Sequence, residues 1–175
     1  MACIRSAIWI TFLLTAACGP PEPPELVLWA WERLEDLRFL APGDAKVAVL
    51  ISRIVLDGTT LTPYPRAAPL QLDGFTEVLP VVRIETRRPA LDGEQLEALL
   101  RSIRSVTRDS RFRGLQIDFD ARVSERAFYR RLLDTLRNGY GEQYRPLSIT
   151  ALASWCGSKS WLADLPVDEI VPMVF

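Results

Sequence analysis

The sequence predicts an α/β fold of parallel strands, specifically a (β/α)8 barrel of TIM-barrel type that is truncated after about six strands. Apolar runs alternate with stretches whose apolar residues recur at helical spacing, which is typical of parallel βαβ units. The runs are apolar at nearly every position, as expected for strands buried on both faces. An open doubly wound sheet fits the same alternation. However, no glycine-rich phosphate loop follows the first strand, and polar residues gather at strand ends, where barrel active sites lie.

Three strands are predicted in the first half of the domain, which we place at residues 26–175. They are the apolar runs at 26–31 (LVLWAW), 47–56 (VAVLISRIVL) and 78–85 (VLPVVRIE). Asp57-Gly58 predicts a turn into a hairpin that continues through residues 59–62.

The second half is predicted to alternate helices and strands. A helix at 93–106 places four leucine or isoleucine residues on one face, and a second helix is capped by Ser124. The remaining elements are strands at 114–120, 147–153 and 170–175 and a short helix at 158–165. A closed barrel usually needs about 250 residues. The sequence therefore predicts a fragment that ends on an apolar strand edge.

Composition limits the chemistry. Among 175 residues the formal net charge is −1, so we expect no nucleic-acid partner. The chain has no histidine, which excludes Ser-His-Asp and Cys-His nucleophile systems and histidine-containing zinc sites from these residues. We expect no metal and no cofactor, and acid–base chemistry that rests on Asp, Glu, Tyr or Lys.

The N-terminus has the pattern of a signal peptide at residues 1–17. Arg5 precedes an apolar stretch at 7–14, which is shorter than the roughly 20 residues of a membrane-spanning helix. Small residues then lead to Cys18, as in a bacterial lipoprotein signal, in which that cysteine is lipidated after cleavage. Thr15 stands where such signals usually have Leu, so ordinary secretion, or a buried helix, is the alternative.

A proline-dense tether follows, so that residues 18–25 form a lipidated cysteine and a stiff linker. The expected location is the bacterial cell envelope, with the protein lipid-anchored through Cys18 and facing the periplasm or the exterior.

The fourth strand carries the candidate site. Because side chains alternate along a strand, Gln116, Asp118 and Asp120 share one face, predicted to be the barrel interior. Two neighbouring carboxylates on a buried face repel each other, so the pKa of at least one is expected to rise, as a general acid requires. The alternative is a solvated or ion-paired Asp pair at a strand end, with Arg83 as the partner.

Neighbouring strand ends supply further candidates. Arg83 and Glu85 share a face of the third strand, and an Arg beside carboxylates holds one ionised or grips a substrate. Trp31 and Glu32 end the first strand, and Trp155 follows the fifth. Indoles around a carboxylate-lined mouth suit stacking on sugar rings. Each Trp taken singly has a core position as its alternative. We therefore predict substrate binding by Gln116, Arg83, Trp31, Glu32 and Trp155.

Several consecutive motifs over residues 26–175 resemble a bacterial family called domain of unknown function 3142, whose activity is not established. They are WAWER with EDL (29–37), VRIE (82–85), GLQIDFDA (114–121) with SER (124–126), LSITALASWC (147–156) and LPVDEIVPM (165–173). The resemblance implies a TIM-barrel fold and supplies little chemistry.

The fourth strand is also distantly similar to glycoside hydrolase family 18, in which it reads D-x-x-D-x-D-x-E. Asp118 matches the third Asp, and Gln116 and Asp120 replace the second Asp and the catalytic Glu. Asp120 is one methylene shorter, about 1 Å, and a shift of that size can cost on the order of a hundredfold in rate. Phe175 stands where that family's sixth strand supplies a substrate-binding Tyr.

Two functions follow as hypotheses. The first is a glycosidase-like hydrolase acting on a polysaccharide, with Asp120 as general acid, Asp118 orienting it and Glu85 as second carboxylate or base. The second is a carbohydrate-binding lipoprotein without catalysis. An inactive truncated product is the remaining alternative.

Overall fold

The structure of the protein, a computed structural model, describes residues 25–156 and 161–174. The predicted signal peptide, Cys18 with nearly all of the tether, and Phe175 therefore lie outside the described residues, as do positions 158–160 of the predicted short helix. Within the part that is described, no helix has both the length and the apolar character needed to cross a membrane.

The described residues form nine strands and three α-helices. The strands are β1 Val27–Ala30, β2 Glu35–Asp36, β3 Lys46–Gly58, β4 Thr60–Pro65, β5 Leu70–Gln71, β6 Val78–Pro89, β7 Leu115–Asp118, β8 Leu147–Leu152 and β9 Glu169–Met173. The helices are α1 Gly93–Val106, α2 Arg126–Gly139 and α3 Ala153–Cys156.

Six of the strands form one parallel sheet whose spatial order, β1-β3-β6-β7-β8-β9, follows the chain. The sheet curls into a half-barrel. The predicted α/β class and all six predicted strands are confirmed, with shifts of a few residues at their ends. The predicted hairpin is also confirmed, because β4 pairs antiparallel with β3 and Thr60 lies opposite Asp57.

The first two connections of the sheet contain no helix among the described residues. The chain from β1 to β3 passes through β2, and the chain from β3 to β6 passes through β4 and β5. β2 and β5 pair in a small parallel sheet of their own. Loop side chains, including Leu37 and Leu72, cover the apolar residues Val47 and Val49. Short strands and loops thus replace the helices that a regular (β/α) repeat would place here.

The main core lies between the sheet and the helices. Leu99 and Ile103 of α1 and Leu132 of α2 pack in one cluster with Ile117 of β7 and Ile149 of β8. The predicted bounds of α1 are confirmed, and Asp92 caps its N-terminus by accepting a hydrogen bond from the Gln95 amide at 2.7 Å.

The prediction that Ser124 caps α2 is wrong. Ser124 lies inside a short 3-10 helix, Val123–Glu125, that precedes α2. The Glu125 carboxylate accepts the hydrogen bond of the Arg122 amide at 2.7 Å instead. The described part of the predicted helix at 158–165 also differs, because residues 161–164 form a turn and the short helix α3 follows β8 directly.

Two local features of the backbone determine how β3 and β7 are positioned at the candidate site. The register of β3 against β6 shifts between Leu50 and Ser52, so that Ile51 is an extra residue and Arg53 lies opposite Arg83. Gly114, which precedes β7, has φ +74°, and an added Cβ would lie 2.4 Å from the Pro146 carbonyl oxygen. Only glycine allows β7 to start this close to the chain that enters β8.

Candidate functional site

The two faces of β7 are separated as predicted. Leu115, Ile117 and Phe119 belong to the core on the helix side. Asp118 lies on the opposite face, where it is in register with Arg83 of β6. We call this opposite face of the sheet the inner face. Trp29, Leu50 and Val81 pack together on it, below the polar residues.

Asp118 is a buried, fully engaged carboxylate. Its side chain is 1% exposed. One oxygen accepts a hydrogen bond from the Arg83 guanidinium at 2.7 Å, and the other accepts one from the Thr150 hydroxyl at 2.7 Å. Because both oxygens have partners, Asp118 is held in a single orientation between β6 and β8.

Arg83 joins the three predicted catalytic carboxylates. Besides Asp118, its nitrogens lie 3.3 Å from a Glu85 oxygen and 3.6 Å from an Asp120 oxygen. Arg53 of β3 adds a second ion pair to Glu85 at 3.0 Å. Although burial lowers the pKa of Arg83, the charge and hydrogen bond of Asp118 and the charge of Asp120 raise it overall, so this guanidinium stays charged. The structure thus brings together the carboxylates that the sequence singled out.

Asp120 differs from Asp118 in exposure, and its own pKa is raised. Its side chain is 41% exposed. Partial burial raises its pKa, the negative charge of Asp118 raises it further, and Arg83 opposes both effects. A raised pKa on at least one of two carboxylates that share a face is what the sequence predicted. Asp120 is therefore the accessible carboxyl of the pair, and its raised pKa favours a proton at a position that a ligand can reach.

An open cavity of about 290 Å³ lies at the carboxyl ends of β6 and β7. Arg83, Glu85 and Asp120 line it together with a wall of further side chains: Ile84, Thr86, Arg87, Phe119 and Arg122. A bound molecule in this cavity can touch both Glu85 and Asp120. The site therefore has room for a ligand beside its two accessible carboxylates.

Trp31 is placed beside the carboxylate cluster. The residue is 39% exposed, and the Arg83 guanidinium carbon lies 5.7 Å from the centroid of its ring. Trp29 lies next to it, at 5.6 Å between ring centroids. Both indoles also line an apolar cavity of about 340 Å³ with the end of β9. The two outer strands of the sheet thus approach each other across the inner face.

Three predicted substrate contacts lie elsewhere. Trp155 is buried in the core, where its ring meets Trp161 edge-on at 5.0 Å. This position corresponds to the alternative of a core indole. Glu32 is exposed in the loop after β1.

Gln116 is 1% exposed and lies one layer below Asp118. Its Oε1 and the Oγ of Ser148, its partner in register, have no hydrogen-bond partner in the described part of the chain.

Arg66 supports the site, and no sequence pattern indicated it. Its guanidinium donates hydrogen bonds to the carbonyl oxygens of Ala30, Trp31 and Arg33, at 3.2 Å and 2.7 Å for the first and last. The same group also reaches the Ala68 carbonyl at 2.9 Å. One side chain thereby fixes the loop that carries Trp31.

Thr150 was also missed, although its place in the fifth strand offered a signal. Ile117 and Ile149 are in register, so the next position along each strand brings Thr150 beside Asp118. A polar residue at that position of a predicted buried strand could have been paired with the carboxylate.

The described residues contain no group of three His, Cys, Asp or Glu side chains arranged to hold a metal ion. Comparisons with family models, with curated proteins and with solved structures find no match to this chain.

Proposed function

We propose that the chain is a glycoside hydrolase-like lipoprotein of the bacterial envelope that acts on a polysaccharide. The observation that carries the proposal is the set of three carboxylates around Arg83, two of which line an open cavity at the carboxyl ends of parallel strands. Glycoside hydrolysis commonly uses two such carboxylates on either side of the scissile bond.

The environments of the carboxylates indicate separate roles. Asp120, whose pKa is raised by burial and by the charge of Asp118, donates a proton to the oxygen of the leaving sugar. Glu85, paired with Arg53 and Arg83, accepts a proton from the water that attacks the anomeric carbon. Asp118 has both oxygens occupied, so it acts on Asp120 through its charge. Trp31 offers an exposed indole face for the sugar ring.

The sequence supports the same proposal independently. The motifs over residues 26–175 resemble domain of unknown function 3142 and, more distantly, glycoside hydrolase family 18. The N-terminal pattern around Cys18 supports anchoring by lipid to the envelope membrane, with a polysaccharide as the partner on the accessible side.

A carbohydrate-binding protein without catalysis is the second candidate. It is favoured by the ion pairs of Arg83 and Arg53, which engage all three carboxylates. It is favoured also by the shorter side chain of Asp120 where family 18 has Glu. Such a protein would keep the cavity and Trp31 and lack an effective acid.

The two candidates are separated by Asp120→Asn, which keeps the size of the side chain and removes the transferable proton. Hydrolysis of a panel of polysaccharides is measured by the release of reducing ends, and binding is measured on the same panel. We expect hydrolysis to fall by about a hundredfold or more, with binding retained. Asp134→Asn, at an exposed position of α2, is the matched control and should keep full activity.

Binding by the wild-type protein without turnover on any glycan would favour the second candidate. Full activity in the Asp120→Asn variant would contradict the role of Asp120 as the acid.

A further inference from the structure

Two exposed arginines line the cavity beside Asp120. Arg87 follows the part of β6 that carries Glu85, and Arg122 follows the loop after β7. In the part of the chain that the structure describes, neither guanidinium takes part in an ion pair, in contrast to Arg83 and Arg53. Their charges are therefore available to a ligand in the cavity.

A buried carboxylate holds the two arginine-bearing segments together. Glu125 is 2% exposed, and its two oxygens accept hydrogen bonds from the Thr86 hydroxyl and from the Arg122 amide, both at 2.7 Å. Thr86 directly precedes Arg87 in the chain. The backbone at both arginines is thus fixed relative to the cavity before any ligand binds, which lowers the entropy cost of binding.

The charge of the cavity supports the same conclusion. Arg53 and Arg83 face the three carboxylates Glu85, Asp118 and Asp120. Among the side chains that line the cavity itself, Arg83, Arg87 and Arg122 are positive and Glu85 and Asp120 are negative. The lining therefore has an excess of positive charge, although the chain as a whole has a net charge of −1.

We propose that the polysaccharide bound here is anionic, with carboxylate, sulfate or phosphate groups on the sugars next to Asp120. This inference rests on the proposed function and names the substrate class of the same site. Guanidinium groups bind such anions through paired N–H bonds, and Arg87 and Arg122 are the two groups placed to do so.

The test uses the full chain and an array of glycans in four sets: carboxylated, sulfated, phosphorylated and neutral. The variant Arg87→Gln/Arg122→Gln removes the two free charges, and both positions are exposed, so its fold should be unaffected. The matched control is Arg101→Gln/Arg108→Gln, which removes two exposed arginines that do not line this cavity. Dissociation constants for the bound glycans are then measured at low and high salt.

We expect the wild-type protein to bind glycans of at least one anionic set and to bind neutral ones more weakly. The double variant should bind them roughly tenfold more weakly, and its binding should depend less on salt. The control should bind like the wild type. The set that is bound distinguishes a carboxylated ligand from a sulfated or phosphorylated one.

Preferred binding of neutral glycans, or anionic binding that the double variant leaves unchanged, would overturn the inference and leave the proposed function in place. Binding of no glycan at all by the wild-type chain would overturn the proposed function together with the inference.

Discussion

Asp118 and Asp120 are two positions apart, and they have opposite environments. Asp118 is buried and has a hydrogen-bond donor on each oxygen, whereas Asp120 faces the cavity and lies 3.6 Å from the nearest Arg83 nitrogen that pairs with it. The difference arises from the end of β7, which leaves Asp118 inside the sheet and Asp120 beyond it. Like residues at one strand end thus acquire different environments from their neighbours alone.

Thr150 should contribute strongly to stability through Asp118. Thr150→Val keeps the shape of the side chain and removes the 2.7 Å hydrogen bond to a buried carboxylate. We expect the free energy of unfolding, measured by urea denaturation, to fall by about 1.5–3 kcal/mol.

The control for this substitution is Thr135→Val on α2. Its hydroxyl donates to the Arg131 carbonyl one turn earlier in the same helix, so a change within about 0.5 kcal/mol is expected. Equal losses of unfolding free energy in the two variants would mean that the hydrogen bond to Asp118 contributes no more to stability than the one within α2.

The sequence predicted the carboxylates of the site better than their partners. Alternation along one strand was enough to place Gln116, Asp118 and Asp120 on one face. It could not predict Arg53, because its position on the inner face depends on the extra residue Ile51 in β3. A bulge shifts the alternation by one position and leaves no mark in the hydrophobic pattern.

Among the elements, the parallel strands, the helix α1 and the β3–β4 hairpin followed from the sequence, and the remaining connections did not. Apolar runs predicted the six parallel strands, and the spacing of leucine and isoleucine residues predicted α1. β2 and β5 contain two residues each, too few for any periodicity to show. The covering of Val47 and Val49 by loop residues likewise depends on contacts between distant segments.

The loop after β1 should depend on Arg66. Arg66→Met keeps much of the aliphatic length and removes the donors to the carbonyls of Ala30, Trp31 and Arg33. We expect the Arg33 amide, which donates to the Trp31 carbonyl at 2.9 Å, to exchange its hydrogen roughly tenfold faster or more.

Arg113→Met is the matched control, since Arg113 donates to the carbonyls of Ser110 and Phe112 in a different loop. Exchange at Arg33 should not change in this variant. Unchanged exchange in Arg66→Met as well would show that other contacts hold the loop.

The described residues form a curled parallel sheet with amphipathic helices on one side and a polar cluster on the other. The apolar layer around Val81 fills the lower part of the inner face, and Arg83 with its carboxylates forms the layer above it. The cavity at the strand ends opens next to that layer. The arrangement places charged groups where they are partly dehydrated and still reachable, as acid catalysis requires.

The pKa of Asp120 also links the site to stability. Since folding raises this pKa, the protonated carboxyl favours the folded state. The contribution of this group to stability is fully present below the pKa that Asp120 has in the unfolded chain. It is lost as the pH rises through the higher pKa that Asp120 has in the folded protein.

The most direct test of the account is a pH titration of the aspartate carboxyl carbons by NMR, in the wild type and in Arg83→Met. We predict that Asp120 titrates above the ordinary aspartate value of about 3.9. We also predict that its pKa rises further in Arg83→Met, because the attraction of the guanidinium for the ionised carboxylate is lost. Asp109, whose pKa the hydrogen bonds from Arg111 lower to about 2, should titrate alike in both proteins. An Asp120 pKa at or below the ordinary value, or one that Arg83→Met leaves unchanged, would contradict the account.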